Sequence, residues 1–334
     1  MPPPDLLAPY EELVAGRRPV EEAFAAGRPA LRLLVVPQRR EALERLVLHA
    51  TRLRIPIVEL EGGSLTALAG FDGHQGVALV VEPREFASLD EVIARAADRA
   101  EPLFVLVLDS LEDPQNLGTL LRSAEAAGVH GVVFPTRRQA PLSPAAIKAS
   151  AGAVEHLLLC PVDDLPGALA DLHARGVRIA GSEADAALTA RQSDLRGPLA
   201  VVVGSEGQGL GPAVRRRCDL VMRIPMRGAV GSLNAAVAGS ILLFEAVAQR
   251  DPEGRRRPEV SVPWPIPKGR PERGALGAEA IEASPRPDRD AGQADEEGTL
   301  DRAAVPVDEG LLPGALPADQ PRARKPRSPR TPHA

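Results

Sequence analysis

From residue 101 to 250 the chain repeats one unit: a short apolar run, a loop marked by glycine, and a segment with helical spacing. The runs PLFVLVLDS (102–110), VHGVVFP (129–135), LLLCPV (157–162), VRIAGSEA (177–184), LAVVVG (199–204) and LVMRIPM (220–226) lack the strict apolar–polar alternation of a strand with one face in water. Strands buried on both faces read this way. Residues 113–128, 143–157 and 165–176 supply covering helices, and SLNAAVAGSILLFEAVAQR (232–250) closes the series with a long one. The alternation predicts an α/β domain on a mostly parallel sheet with helices on both faces. Aromatic residues are only 2% of the chain, so the core must come from Leu, Val, Ile and Ala.

Residues 10–85 carry a smaller α/β pattern. RRPVEEAFAAG (17–27) is helical, LRLLVVP (31–37) a strand, and RREALERLVLHATRLR (39–54) an amphipathic helix with Leu43, Leu46, Val47 and Ala50 on one side. PIVEL (56–60) and GVALVVEP (76–83) are strands, and GGSLTALAG (62–70) is a short helix opened by Ser64. Residues 86–101 are expected to form a linker helix with Ser88 as cap, or the first helix of the next domain. From 251 to 334 the periodicity stops. That stretch holds close to half of the 34 prolines and few large apolar residues. It cannot offset backbone ordering at about 1–2 kcal/mol per residue, which predicts a disordered tail rich in proline and charge. The basic end of the tail, PRARKPRSPRTPHA, is able to meet RNA phosphates, but composition alone favours a solvated tail without a dedicated role.

The net charge of −5 gives no whole-chain sign of a nucleic-acid partner, so an RNA-binding surface would have to be a local basic patch. Cys160 and Cys218 lie far apart without metal-ligand spacing, and the six histidines show no metal pairing, so no metal is expected. The N-terminus lacks an apolar signal region, and no uncharged stretch approaches the roughly 20 residues that span a bilayer. A soluble, cytoplasmic protein with no membrane partner is the expectation.

LAVVVGSEGQGL (199–210) leaves a strand for a glycine loop with Glu206 at its centre. A dinucleotide fingerprint reads GxGxxG after the first strand of its unit. This loop reads GxxGxG and comes late. A carboxylate 4–5 Å from a pyrophosphate would repel it by roughly 3–4 kcal/mol at an effective dielectric near 20. That disfavours a nicotinamide-dependent oxidoreductase. A phosphate-free or positively charged ligand suits the loop, and S-adenosylmethionine meets both conditions; on the residues alone, a plain glycine turn stays open. Two companions accompany it. Residues 109–128 place Asn116, Gly118 and Arg122, and IPMRGAVGSLNAAVA (224–238) places Ser232 and Asn234 at the start of the closing helix. Taken singly, these residues also read as a turn and as helix caps.

Together the three blocks resemble the SpoU (TrmH-like) family of RNA 2′-O-ribose methyltransferases. The first motif is Asn116, Gly118 and Arg122; the second is Gly204, Glu206 and Gly209; the third is Ile224 to Met226, Gly228 and Ser232 to Asn234. The resemblance covers 102–250. GRRPVEEAF (16–24) and GHQGVALVV (73–81) resemble the ends of the small substrate-binding domain often fused in front. After Ser-Leu-Asn, Ala235 and Ala236 stand where the family usually has Val-Ser.

The resemblance implies a SPOUT-type C-terminal domain with a trefoil knot, S-adenosyl-L-methionine as cofactor, and a homodimer paired through the knotted domain. It implies cofactor contacts at Gly204, Glu206, Gly209, Ile224, Met226, Ser232 and Leu233. Catalytic roles fall to Arg122, Asn116, Glu206, Ser232 and Asn234, with Arg122 either the base or an electrostatic stabiliser of the ribose oxygen. The expected target is a guanosine of 23S rRNA in the large subunit or its precursor, with tRNA as the alternative. A non-catalytic RNA-binding or assembly protein is the reading from another class. For RNA contact the candidates are Arg17, Arg18, Arg39, Arg40, His74, Gln75 and Lys148, with Arg52, Arg54, Arg137 and Arg138 as further phosphate ligands.

Overall fold

The computed structural model describes residues 7–229 and 231–254, which belong to one compact unit. The expected tail lies outside the described residues apart from its first four. Chain order begins β1 (Glu12–Ala15), α1 (Arg17–Ala25), β2 (Ala30–Val35), α2 (Glu44–Arg52), β3 (Ile57–Glu59), α3 (Gly62–Ala69) and β4 (Val77–Val81). The strands form a four-stranded sheet in the order β1-β4-β2-β3, antiparallel except for the β2–β3 pair. Along β4 the side chains alternate between two cores: Val77, Leu79 and Val81 face one, while Ala78 and Val80 pack with Leu13, Leu34 and Leu65. Two expectations shift here. The helix expected over 39–54 begins only at Glu44, because Pro37 starts two 3-10 turns that take up 37–43. Its apolar face is as expected, with Leu43, Leu46, Val47 and Ala50 all buried. Ser64 lies inside α3 rather than opening it, since the helix starts at Gly62.

Next comes α4 (Leu89–Asp98), capped by Ser88, whose hydroxyl accepts from the Glu91 amide while the Glu91 carboxylate accepts from the Ser88 amide. The remaining elements are β5 (Phe104–Asp109), α5 (Pro114–Ala126), β6 (Gly131–Pro135), α6 (Pro144–Ala149), β7 (Leu158–Val162), α7 (Leu165–Ala174), β8 (Arg178–Ser182), β9 (Leu188–Thr189), β10 (Leu199–Gly204), α8 (Pro212–Arg215), β11 (Leu220–Arg223) and α9 (Ala235–Arg250). Seven strands run in the order β7-β6-β5-β10-β8-β11-β9, and every pair is parallel. Central β5 and β10 are buried throughout. Phe104, Leu106 and Leu108 join Leu199, Val201 and Val203 in one core, and Val105, Val107, Ala200 and Val202 enter the other. Burial on both faces explains why these strands read as unbroken apolar runs. β10 enters between β5 and β8, and β11 between β8 and β9, so each is inserted between strands laid down earlier. Strand order reverses at β5 and β10, which places a crevice at their C-terminal ends, the usual ligand position in open α/β sheets.

The two sheets share the larger apolar core and are also fastened by charge. The fully buried Glu155 carboxylate meets Arg28 at 3.1 Å and Arg84 at 2.8 Å, and both guanidiniums reach Glu12 at 3.1 Å. Burial alone would depress the Arg84 pKa; the carboxylates of Glu155 and Glu12 outweigh it and hold the group above the ordinary arginine value. Among the described residues no helix is long and apolar enough to cross a membrane.

Candidate active site

The crevice is built by three loops. β5 ends in buried Asp109, whose Oδ2 accepts from the Gly211 amide at 2.7 Å. β10 ends in Gly204, and the glycine loop folds back on itself. Ser205 and Gly209 exchange both backbone hydrogen bonds, at 3.0 and 3.1 Å, with Gly207 at φ +85 and Gly209 at φ +66. A methyl group on Gly204 would lie 2.7 Å from the Leu210 amide nitrogen and closer still to the Gly209 carbonyl group. The turn itself therefore demands glycine at 204. Gly118 has a different cause: a side chain there would strike Ala149 and the Ser150 amide, so it is a packing glycine between α5 and α6.

α5 and α9 each begin beside this crook. Asp113 caps α5 by accepting from the amides of Gln115 (3.1 Å) and Asn116 (3.3 Å), with Pro114 in the first turn. Asn234 caps α9, its Oδ1 accepting from Ala236 and Val237 at 3.0 and 3.2 Å. Those two amides fix which end of Asn234 is oxygen. Its Nδ2 then donates to Asn116 Oδ1 at 2.8 Å, and Asn116 Nδ2 donates to Glu206 Oε1. Three residues separated by 90 and 118 positions thus form one directed relay ending on a carboxylate. Ser232 precedes the helix and is exposed, outside this chain of bonds.

The cleft over the relay holds about 1120 Å³ and is strongly acidic, faced by Asp109, Glu112, Asp113 and Glu206 against the single cation Arg138. Ile224 packs against the core, while Met226 and Leu233 remain 39% and 37% exposed, two apolar side chains left in water on the 224–234 segment. Arg122 is exposed on α5 and, among the described residues, makes no hydrogen bond or ion pair. Its neighbour Ser123 bonds Ser240 of α9 at 2.7 Å. Nothing in the motif spacing marks Asp109 or Asp113; the Asp-Pro pair at 113–114 is the signal for the α5 cap.

The RNA candidates divide. His74 is buried, with Nδ1 accepting from the Gly76 amide and Nε2 on Thr66, both at 3.0 Å; burial lowers its pKa. Gln75 Oε1 accepts from the Arg17 amide (3.1 Å) and from Lys148 Nζ (2.8 Å), so Gln75 and Lys148 join the first sheet region to α6. Burial also pulls the Lys148 pKa down. Arg17 and Arg18 pair with Glu21 and Glu22, and Arg40 with Glu59. Arg39, Arg137 and Arg138 are exposed without an ion pair among the described residues.

The model for the SpoU rRNA Methylase family matches residues 103–244, and that for RNA 2′-O ribose methyltransferase substrate binding matches 13–87. A Staphylococcus aureus protein assigned to the TrmH family of tRNA/rRNA methyltransferases is 37% identical over 245 residues, which is 73% of this chain and 98% of that protein. The chain belongs to the SpoU (TrmH) family. A Bacillus subtilis protein assigned to the same family is 43% identical over 181 residues, 54% of this chain and 73% of its own. Among solved structures, the SpoU methyltransferase AviRb from Streptomyces viridochromogenes in complex with AdoMet superposes with a TM-score of 0.59 at 28% identity, covering 72% of this chain and 90% of that one. The α/β fold with its parallel seven-stranded sheet is thus the SpoU fold.

Proposed function

We propose that the chain methylates a ribose 2′-hydroxyl of structured RNA from S-adenosylmethionine, with a guanosine of 23S rRNA as target. The observation that carries this reading is the relay Asn234–Asn116–Glu206, which draws the three motif blocks to one crook at the ends of β5 and β10. The residues present fit the cofactor. The crook is closed too tightly for any side chain at 204, its acidic surround favours a sulfonium and an ammonium and repels phosphate, and Met226 and Leu233 offer apolar surface for adenine. When bound, S-adenosylmethionine supplies an activated methyl group. Gly204, Gly209, Ile224, Met226, Ser232 and Leu233 would hold it, largely through backbone groups. Glu206 fixes the loop by accepting from Asn116.

Arg122 faces the other requirement, a ribose oxygen that is a poor nucleophile while protonated. A guanidinium is a hydrogen-bond donor only and is not suited to take the hydroxyl's proton. It therefore acts by gripping the adjacent phosphate and stabilising the forming alkoxide, which lowers the hydroxyl's pKa. That Arg122 has no hydrogen-bond or ion-pair partner among the described residues supports a site completed by RNA and by a second copy.

Homodimerisation is the second part of the reading. Val237, Ile241 and Phe244 are 46%, 42% and 47% exposed at helical spacing on α9, beside buried Ala236, Leu242 and Ala246 on its core side. Insertion of β10 and β11 between earlier strands, with α9 returning onto α5 and β10, supports the trefoil knot. Residues 10–85 serve as the substrate-binding domain and 102–250 as the catalytic one, acting in the cytoplasm.

The test pairs two measurements. Arg122→Ala should abolish methyl transfer while leaving the S-adenosylmethionine Kd and the melting temperature unchanged, because the side chain is exposed and, among the described residues, unpaired. Mapping 2′-O-methyl sites in total RNA from a deletion strain and its complemented control should show one guanosine of 23S rRNA losing its methyl group. Loss at a tRNA site instead would move the target, and near-normal turnover by Arg122→Ala would overturn the mechanism.

A further inference from the structure

A second cavity, of about 380 Å³, lies next to the acidic cleft and differs from it in character. Its volume falls within the roughly 300–1,000 Å³ of small-ligand sites. Phe86, Phe134, Leu117 and Leu121 line it, with Thr136 and Gln139 as polar groups. The chain has six phenylalanines, and two of them meet here edge to face, ring centres 6.5 Å apart. Phe86 is 52% exposed, yet its backbone is pinned by the Ala87 amide donating to the Leu159 carbonyl at 2.8 Å. A large aromatic held half in water beside a cavity is a surface that the fold itself does not need.

Gln139 gives the cavity a direction. Its Oε1 accepts from the Leu111 amide at 3.2 Å, and the Ala140 amide donates back to the Leu111 carbonyl at 2.8 Å. The Leu111 amide settles which end of the side chain is oxygen. The Nε2 end is then a buried donor with no partner among the described residues. Such groups are rare, because an unmade buried hydrogen bond costs the folded state. The donor awaits an acceptor.

The 136–142 loop is the wall between the two cavities. Ser110, Asp113 and Arg138 face the acidic cleft, and Leu117, Thr136 and Gln139 face the apolar one. Arg137 and Arg138 stand exposed on this loop without ion pairs among the described residues. An RNA backbone repelled from the acidic cleft finds its countercharge there.

We propose that this cavity takes an unstacked base of the RNA substrate, from a nucleotide neighbouring the one methylated. The base lies against Phe86 and Phe134 and accepts a hydrogen bond from Gln139 Nε2 through a ring carbonyl or ring nitrogen, while Arg137 and Arg138 hold its phosphates. Bases splayed from single-stranded loops are recognised by this combination of aromatic face and edge hydrogen bond. The inference rests on the RNA-methylating reading above and adds a specificity pocket to it.

The test uses the full chain with a pool of unmodified ribosomal and transfer RNA transcribed in vitro. Two variants probe the pocket. Phe86→Ala removes a half-exposed ring, and Gln139→Glu keeps the acceptor for Leu111 but deletes the free donor. Each should raise the KM for RNA, and its filter-binding Kd, on the order of tenfold, within the range that base–aromatic stacking spans. The Kd for S-adenosylmethionine and kcat should hold, since the loss is one of substrate binding. A pool carrying 4-thiouridine, photo-crosslinked to the wild-type chain, should yield adducts on peptides containing Phe86 or Phe134. Wild-type RNA affinity in Phe86→Ala, together with adducts elsewhere only, would overturn the pocket. The RNA-binding and crosslinking measurements read the pocket even if no methyl group is transferred, so failure of the pocket and failure of the methyltransferase reading remain distinguishable.

Discussion

Gly204→Ala isolates the part of the site that the chain's own backbone dictates. The added methyl carbon would start 2.7 Å from the Leu210 amide nitrogen and nearer still to the Gly209 carbonyl group. Ordinary contact is about 3.5–4.0 Å, so the 205–210 crook must retreat by roughly 1 Å. The obstacle is backbone on both sides, so no rotamer change relieves it. Overpacking of this size costs about 1–3 kcal/mol, which a domain with about 5–15 kcal/mol of stability survives folded. The site fares worse. Glu206 rides on the crook and is bonded to Asn116, so the displacement breaks the relay's last bond or drags Asn116 with it. A misplacement of about 1 Å can cost a hundredfold in rate. Gly204→Ala should therefore lower kcat/KM about a hundredfold and weaken S-adenosylmethionine binding by calorimetry, while urea unfolding stays cooperative with its midpoint only modestly reduced. A variant that binds the cofactor with the wild-type Kd would show that the crook is not the cradle.

Three further outcomes are expected. Glu155→Ala leaves Arg28 and Arg84 buried with only Glu12 between them; removing one member of such a buried set costs about 3–5 kcal/mol, and a urea-unfolding loss below about 1 kcal/mol would mean the cluster behaves like a surface pair. Ile241→Glu combined with Phe244→Glu should convert a dimer to a monomer by sedimentation while each chain stays folded by circular dichroism, since both side chains are exposed in the single chain. Burial lowers the pKa values of His49, His74 and His130, with Arg52 adding to the effect at His49, Asp72 opposing it at His74, and Glu101 opposing it at His130. Folded, these rings stay neutral where unfolded ones take up protons. Their contribution is complete above about pH 6.5 and is lost as pH falls below it, by at most about 1.4 kcal/mol per pH unit for each ring. A melting temperature flat from pH 7.5 to 5.5 would refute this.

The strands of the large sheet are legible because burial on both faces leaves an unbroken apolar run, as in 199–204 and 104–109. β9, with two residues, and α8, with four, are too short to carry a period, so the spacing does not show them. Within the site, sequence gave the members of the relay but not the bonds between them. Asn116 and Asn234 each read as local caps or turns, and Asn234 is indeed a cap; its second role exists only because β5 and β10 are neighbours, which brings positions 118 residues apart into contact. The same reasoning explains why the RNA candidates divided. Gln75 and Lys148 look like groups meant for a ligand, yet they meet each other across 73 residues, and nothing in the sequence marks Arg28, Arg84, Glu12 and Glu155 as members of one buried cluster. A charged or amide side chain carries no periodic mark of its partner. Apolar residues must segregate into a face and so write their environment into the spacing, whereas one polar pair satisfies itself at any separation. Chemistry in this fold is accordingly encoded by residue type in the sequence and by topology in space, and the crossing of β10 beside β5 is what converts three motif fragments into one site.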